Sequence, residues 1–164
     1  MLRATIATIV PLFLALSPPL PASFAAPKGW VSKAPPANSP VDFIWLAPRF
    51  GVDGDGENLT VMSHPAVAGA TLDAEVRRTI AELSADRRIV DSRSAPTCHG
   101  LQAGWMFDAR VSLPNGKAVS QIYHVTIVDG RAYAFIFTHA AGARVDQAIA
   151  DSMQSICPGK KSAS

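Results

Sequence analysis

Three carboxylates alternate along a glycine-rich stretch, and this spacing suggests a calcium loop. They are Asp53, Asp55 and Glu57. An EF-hand loop that begins at Asp53 requires glycine at its sixth position and glutamate at its twelfth. The sequence has Asn58 and His64 at those positions. We therefore predict no EF-hand metal site here, and a looser cation site is the alternative.

The histidines are the other candidate metal ligands, and they are His64, His99, His124 and His139. A zinc site needs three or four ligands that converge on the metal at about 2 Å. In the predicted strand pairing, His139 lies opposite Ser120, which is four residues from His124. At about 3.3 Å per residue the two imidazoles are roughly 13 Å apart, too far to share a metal. We predict no metal site at the histidines.

No set of side chains in the sequence matches a catalytic motif. A nucleophile elbow, a phosphate-binding Walker loop and a dinucleotide fingerprint do not occur, and no histidine pairs recognisably with serine and aspartate. We therefore predict no catalytic residues, no cofactor and no enzymatic activity. The alternative is a small-ligand carrier or an enzyme with a pocket between sheet and helix. Its ligand-binding residues would be Tyr123, His124 and Tyr133.

Residues 1–25 have the pattern of a secretory signal peptide. Arg3 supplies the positive charge, an apolar run covers residues 5–16, and prolines follow it. Small residues at Ser23 and Ala25 predict cleavage after Ala25. An uncleaved membrane anchor is the alternative, but a run of about 12 residues is shorter than the roughly 20 that span a bilayer. We expect a secreted or periplasmic protein.

Cys98 and Cys157 are the two cysteines, and both remain after this cleavage. In an oxidising compartment an even pair predicts a disulfide. Closing a loop of about 60 residues contributes roughly 4 kcal/mol to stability on the chain-entropy model. The alternative is a thiol nucleophile at Cys98 assisted by His99. Because adjacent side chains diverge and rarely align a thiol with an imidazole, we predict the disulfide.

Composition limits the number of domains and the class of partner. The 164 residues are 48% hydrophobic and 17% charged, with a net charge of +2. This chain is too apolar to be disordered, is long enough for one domain, and lacks the basic excess of a nucleic-acid binder. We divide it into the signal peptide, a proline-rich tether at 26–40, a single α/β domain at 41–158 and a disordered tail at 159–164. A short strand is expected near Trp30, whose ring we expect to be exposed.

Hydrophobic periodicity predicts two helices separated by four consecutive strands. Thr71 is the expected N-cap of a helix over 72–86, and the second helix is predicted over 144–156. The four strands are predicted over 88–93, 101–113, 117–128 and 131–138. Earlier in the chain, residues 42–46 are predicted to form a strand or a turn of helix, and residues 59–63 a strand.

The predicted turn at Asp129 and Gly130 sets the register of the central hairpin. It pairs Val128 with Arg131 and, further along, Ile122 with Phe137. Apolar side chains then fall on both faces of the hairpin, so each face needs a covering helix. The predicted fold class is α+β. An antiparallel sheet, made of a four-stranded C-terminal meander plus N-terminal strands, carries one helix before and one after the meander as an α/β/α sandwich.

This order of elements resembles the Mog1/PsbP-like fold over residues 43–157. The stretches that carry the resemblance are 59–61, the helix from Thr71, residues 104–105, the hairpin at 128–133 and the end of the last helix at 155–158. The resemblance implies a non-enzymatic accessory or partner-binding domain, of the kind found among small exported bacterial proteins. A cone-shaped NTF2-like fold is the structural alternative.

These features predict an exported accessory or partner-binding domain of the cell envelope or the secreted space. Its partner would be an envelope or secreted protein. We expect no nucleic-acid partner and no membrane span after the signal peptide is removed.

Overall fold

The computed structural model describes residues 22–23, 25–48, 56–114 and 116–158. Most of the predicted signal peptide, two acidic residues of the predicted loop (Asp53 and Asp55) and the predicted tail lie outside these ranges. Within them the strands are β1 (Ala22–Ser23), β2 (Val31–Lys33), β3 (Val41–Leu46), β4 (Asn58–Pro65), β5 (Arg88–Ser94), β6 (Trp105–Ser112), β7 (Ala118–Val128), β8 (Arg131–Ala140) and β9 (Cys157–Pro158). The helices are α1 (Leu72–Leu83) and α2 (Gln147–Gln154).

Seven of these strands form one antiparallel sheet in the order β2-β3-β4-β8-β7-β6-β5, and β1 pairs with β9. The predicted register of the central hairpin is confirmed, because Val128 pairs with Arg131 and Ile122 with Phe137. The turn forms because Asp129 and Gly130 both adopt positive φ, 48° and 72°.

Helix α1 begins where the sequence predicts and ends earlier. The Thr71 side chain accepts the N–H of Ala74 at 3.2 Å and so caps the first turn. The helix ends at Leu83 instead of residue 86. The N–H groups of Asp86 and Arg87 both bond to the carbonyl of Leu83, which turns the chain toward β5.

Helix α2 is shorter than predicted at both ends. The side chain of Asp146 accepts the N–H of Ala148 at 2.6 Å, so the helix begins after Asp146 and not at residue 144. At the other end, the carbonyl of Ile156 accepts the N–H of Cys98 at 3.0 Å. A tertiary hydrogen bond thus replaces the last helical turn.

The predicted disulfide between Cys98 and Cys157 is present, with the two Cα atoms 4.6 Å apart. Both cysteines are buried. The hydroxyl of Thr97 donates to the carbonyl of Ile156 at 2.7 Å, so side-chain and backbone bonds reinforce the crosslink. The loop before β6 is therefore fastened to the end of α2.

Each face of the sheet carries its own apolar core, which confirms the predicted α+β sandwich. On the face covered by α1, the buried residues are Val76, Phe107, Ala109, Tyr123, Val125 and Ile136. On the face covered by α2, they are Leu59, Val61, Tyr133, Phe135, Phe137, Ile149, Met153 and Ile156. We call these the α1 face and the α2 face.

The proline-rich segment contributes to the sheet through β2, which pairs with β3 at one edge. The ring of Trp30, which we expected to be exposed, is partly buried instead. Its centroid lies 6.1 Å from that of Phe137, against the core of the α2 face.

Candidate functional site

A cleft of about 390 Å³ opens between α1 and the sheet. Its apolar floor comes from strands β4, β7 and β8 and includes Met62, Val125 and Ile136. Its wall comes from α1 and the residues that follow the helix. This volume falls at the small end of the range of ligand pockets, and an apolar floor with a few polar groups is their usual composition.

Glu75 is the buried charge of this cleft. Only 4% of it is exposed, and Arg78 and His64 both contact its carboxylate. Arg78 also pairs with Glu82 at the rim. The hydrogen bond from Arg78 to Glu75 raises the pKa of the guanidinium, although desolvation opposes this. Arg78 therefore provides the partner that a buried carboxylate requires, and the ring of His64 lies beside it.

The ring of His64 links the end of β4 to α1. Its Nδ1 lies 2.9 Å from the carbonyl of Pro65, which can only accept, so Nδ1 carries a proton. Its Nε2 lies 2.7 Å from Arg78 and 3.0 Å from Glu75. The neutral ring accepts from Arg78 at Nε2, and the protonated ring donates to Glu75.

A second polar group in the cleft consists of Tyr123, Gln121 and Arg87. The Tyr123 hydroxyl donates to Oε1 of Gln121 at 2.9 Å, and Nε of Arg87 donates to the same oxygen at 3.2 Å. The Tyr123 ring stacks on Phe107 with centroids 4.7 Å apart. Burial raises the pKa of Tyr123, so it stays a neutral phenol whose proton is donated to Gln121.

The structure separates the three predicted ligand-binding residues. Tyr123 lies on the α1 face and lines the cleft. Tyr133 borders the cleft, but its ring packs on the α2 face beside Phe135, with centroids 6.2 Å apart. His124 also lies on the α2 face, because neighbouring residues of a strand point to opposite faces.

His124 has a structural environment. It is 1% exposed, and its Nε2 lies 2.7 Å from the carbonyl of Ala95. Burial lowers the pKa of His124, partly offset by this hydrogen bond. Gly104 packs against it, and a Cβ there would lie 2.6 Å from the Ala95 oxygen and 2.8 Å from Nε2. The loop before β6 therefore closes over a neutral imidazole.

Several cleft residues escape sequence reasoning, above all Glu75 and Arg78. They are spaced three residues apart on a helix, which in sequence indicates a solvated charged face. Only the packing of α1 across β4 reveals that Glu75 is buried. The hydroxyl of Thr79 bonds to the Glu75 carbonyl at 2.9 Å, and no sequence signal marks it as a cleft residue.

The structure describes only part of the predicted acidic loop. Glu57 lies within the described ranges, and its carbonyl accepts the N–H of Ala47 at 3.0 Å. Across residues 22–23, 25–48, 56–114 and 116–158, no three His, Cys, Asp or Glu side chains converge in a way that could hold a metal ion. The predicted pairing of His139 with Ser120 is confirmed, because the two residues lie opposite each other on β7 and β8.

The sequence matches no protein-family model, and it matches none of the curated proteins. Solved structures are similar to it. The solution structure of a cyanobacterial PsbP (CyanoP) from Synechocystis is 22% identical, with a TM-score of 0.58 over 84% of this chain and 86% of that one. LpqN, described as involved in cell envelope biogenesis of Mycobacterium tuberculosis, is 14% identical, with a TM-score of 0.60 over 84% and 83%.

A third similar structure is PA94 from Pseudomonas aeruginosa, a protein of unknown function. It is 13% identical, with a TM-score of 0.52 over 83% of this chain and 87% of that one. The chain thus has a PsbP/Mog1-like fold, as the order of its elements indicates. In the described part of the chain, no helix is long and apolar enough to cross a membrane.

Proposed function

We propose that this protein works outside the cytoplasm as a non-catalytic accessory protein that binds another component of the cell envelope or the secreted space. Export through the signal peptide at 1–25, with cleavage after Ala25, is part of this proposal. The disulfide between Cys98 and Cys157 supports it, because such crosslinks persist in oxidising compartments.

The observation that carries the proposal is the pairing of charges in the cleft. General acid–base catalysis needs a group that is free to exchange a proton with a substrate. Here Glu75 is engaged by Arg78 and His64, and Tyr123 by Gln121. The polar side chains of the cleft already form hydrogen bonds and ion pairs with one another. Such a preorganised cleft is suited to binding, because little conformational entropy is lost when a partner binds.

The similar structures support a location in the cell envelope, but they do not define a biochemical role for this protein. LpqN is described as involved in cell envelope biogenesis. We extend that setting to this chain because the fold is shared over most of both chains. The binding role itself is proposed from the cleft of this protein and not from the similar structures.

Photocrosslinking from two matched positions tests the proposal. Glu82 lines the cleft on α1, and Asp151 is an exposed acidic residue on α2, across the sheet. A photoreactive amino acid at Glu82 is expected to capture a discrete partner in intact cells, and the same residue at Asp151 is not. Equal capture from both positions, or none from Glu82 in correctly folded protein, contradicts the proposal.

Export is tested separately by the mass of the protein recovered from the cell envelope or medium. A mature chain that begins at Ala26 is expected. A full-length chain in the cytoplasm, with both cysteines open to alkylation, would overturn this part.

A small-ligand carrier is the second candidate, and the volume of the cleft favours it. A molecule bound there would rest on Met62 and Ile136 and reach the polar pair of Gln121 and Tyr123. Native mass spectrometry of protein purified from its own compartment should then show a bound molecule. Thr79→Trp, which fills the cleft, should remove it. Protein that carries no added mass speaks against this candidate.

A further inference from the structure

The α2 face has an open groove that the proposed function does not use. Helix α2 covers the apolar core around β4 and β8, and beyond it a groove of about 360 Å³ remains over β5, β6 and β7. Five polar residues line it, namely Arg88, Asp108, Arg110, Ser120 and His139.

Four of them, Arg88, Arg110, Ser120 and His139, form one row across four neighbouring strands. Arg88 pairs directly with Arg110, and Arg110 with Ser120. Ser120 in turn pairs with His139. Residues that pair directly in an antiparallel sheet share a face, and adjacent strands lie about 4.8 Å apart. The row therefore spans roughly 14 Å, and long arginine side chains from one end can reach a ligand at its centre.

The two arginines have no acidic partner among the described residues. In the part of the chain that the structure describes, neither Arg88 nor Arg110 forms an ion pair or a side-chain hydrogen bond. Like charges directly opposite each other in a sheet are destabilising. The cleft on the α1 face differs, because Arg78 there has two carboxylates.

His139 is the second sign that the row is incomplete. It is only 7% exposed, and its buried Nδ1 has no hydrogen-bond partner in the structure. Its ring stacks on Phe137 with centroids 5.4 Å apart, which fixes it at the groove. A buried polar atom without a partner is costly and needs an explanation, and a ligand in the groove would supply one.

Asp108 is the acid of the groove, and it does not neutralise the arginines. It lies opposite Asp91 in the strand pairing of β5 with β6, and Asp91 forms an ion pair with Arg93. Its Oδ1 is buried, and within the described ranges no group forms a hydrogen bond with it. Burial raises the pKa of Asp108, with Asp91 adding to the rise and Arg93 and His139 opposing it. The groove thus keeps a positive excess next to a carboxyl group that resists ionisation.

We propose that this groove binds a small organic oxyanion, a phosphate or a carboxylate, through the guanidinium groups of Arg88 and Arg110. Guanidinium groups match the geometry of such oxyanions and can bind them in bidentate fashion. Ser120 and His139 supply further hydrogen bonds.

Apolar residues beside the row indicate that the ligand carries an apolar group as well as the oxyanion. Ile122 and Val145 line the groove beside the polar row. Both also line an adjoining hollow of about 380 Å³, together with Met106 and Met153. An oxyanion on a short hydrocarbon or aromatic group fits both spaces, whereas a free inorganic ion fills only the first.

Calorimetric titration of the full mature protein tests the proposal. The probes are phenyl phosphate, benzoate, inorganic phosphate and phenol at constant ionic strength. Phenyl phosphate or benzoate is expected to bind at one site and at least about tenfold more tightly than phenol or inorganic phosphate, since a charge-assisted contact and apolar burial act together. The stronger of the two aromatic anions identifies the oxyanion.

Substitution of the arginines assigns the site. Arg88→Gln and Arg88→Gln/Arg110→Gln are expected to weaken binding progressively, with about a tenfold loss or more in the double variant. Arg77→Gln is the matched control, since Arg77 is exposed on α1 and pairs with Asp73. A thermal midpoint that is not lowered shows that the fold is intact, and relief of the repulsion between Arg88 and Arg110 is expected to raise it.

Two results would overturn the proposal. One is the absence of saturable binding of either aromatic anion to folded wild-type protein. The other is an equal loss of affinity in Arg77→Gln and Arg88→Gln, which each remove one positive charge, because this would mean that the anion responds only to overall charge.

Discussion

The two faces of the sheet are covered by helices of unequal length. The faces also differ in whether their charged side chains have ion-pair partners. Helix α1 has 12 residues and meets the sheet with a buried carboxylate that its own arginine satisfies. Helix α2 has eight residues and leaves part of its face open, where Arg88 and Arg110 lie opposite each other. The length of the covering helix therefore decides where charge is satisfied within the fold and where it remains available to a ligand.

The largest expected effect tests whether the two faces are equally important for stability. Phe107 is fully buried on the α1 face and Phe137 on the α2 face. Phe107→Ala and Phe137→Ala should each lower the free energy of unfolding by about 3–5 kcal/mol, because each leaves a large cavity. Urea denaturation measures both. A loss below about 1 kcal/mol on either face would show that this layer is not a packed core.

The disulfide distinguishes the faces, because it fastens α2 and does not touch α1. Cys98→Ala/Cys157→Ala should lower the free energy of unfolding by about 2–4 kcal/mol. Hydrogen exchange should accelerate more in α2 than in α1. Addition of a reducing agent should reproduce the change in wild-type protein and leave the double variant unaffected. Uniform acceleration in both helices would remove this distinction.

The paired charges of the α1 face should respond to loss of one partner. Glu75→Gln is expected to cost about 1–2 kcal/mol, since a bond to a charged group is lost. The value is reduced because 41% of Arg78 is exposed, and solvent screens the pair. The control is Asp73→Asn, which removes an exposed pair with Arg77 and should cost less than about 0.5 kcal/mol. Equal effects would place Glu75 in solvent.

The smallest expected effect concerns pH and His124 on the α2 face. Burial lowers the pKa of His124 in the folded state below its ordinary value of 6.5. The unfolded chain therefore binds a proton first as the pH falls below that value, and stability declines until the folded-state pKa is reached. His124→Gln should flatten this part of the stability curve, whereas His99→Asn at an exposed position should not. Parallel curves for wild type and His124→Gln would contradict it.

Local signals predict the sheet well and the ends of the helices poorly. The pairing of Val128 with Arg131 follows from the turn residues and the alternation of side chains alone. The early end of α2 depends on a hydrogen bond from Cys98, which is distant in sequence. Propensity cannot anticipate such a bond because it arises only after the chain has folded.

The candidate site also contains residues that local sequence predicts and residues that only tertiary packing reveals. Tyr123 could be selected from the sequence because it lies on an apolar strand between two covered faces. The role of Glu75 could not, because its burial depends on how α1 crosses β4. The need for glycine at 104 is equally hidden, since it arises from the approach of Ala95 and His124.

The bond between Cys98 and Cys157 also determines how the chain can carry tension. It joins positions 59 residues apart and encloses β6, β7, β8 and α2 in a covalent ring. A force applied at the two termini passes directly from one sulfur to the other, so the ring does not lengthen. At about 3.5 Å per extended residue, roughly 200 Å of extension is withheld. Under load, only the chain outside the ring stretches, and β6, β7, β8 and α2 stay out of the line of force.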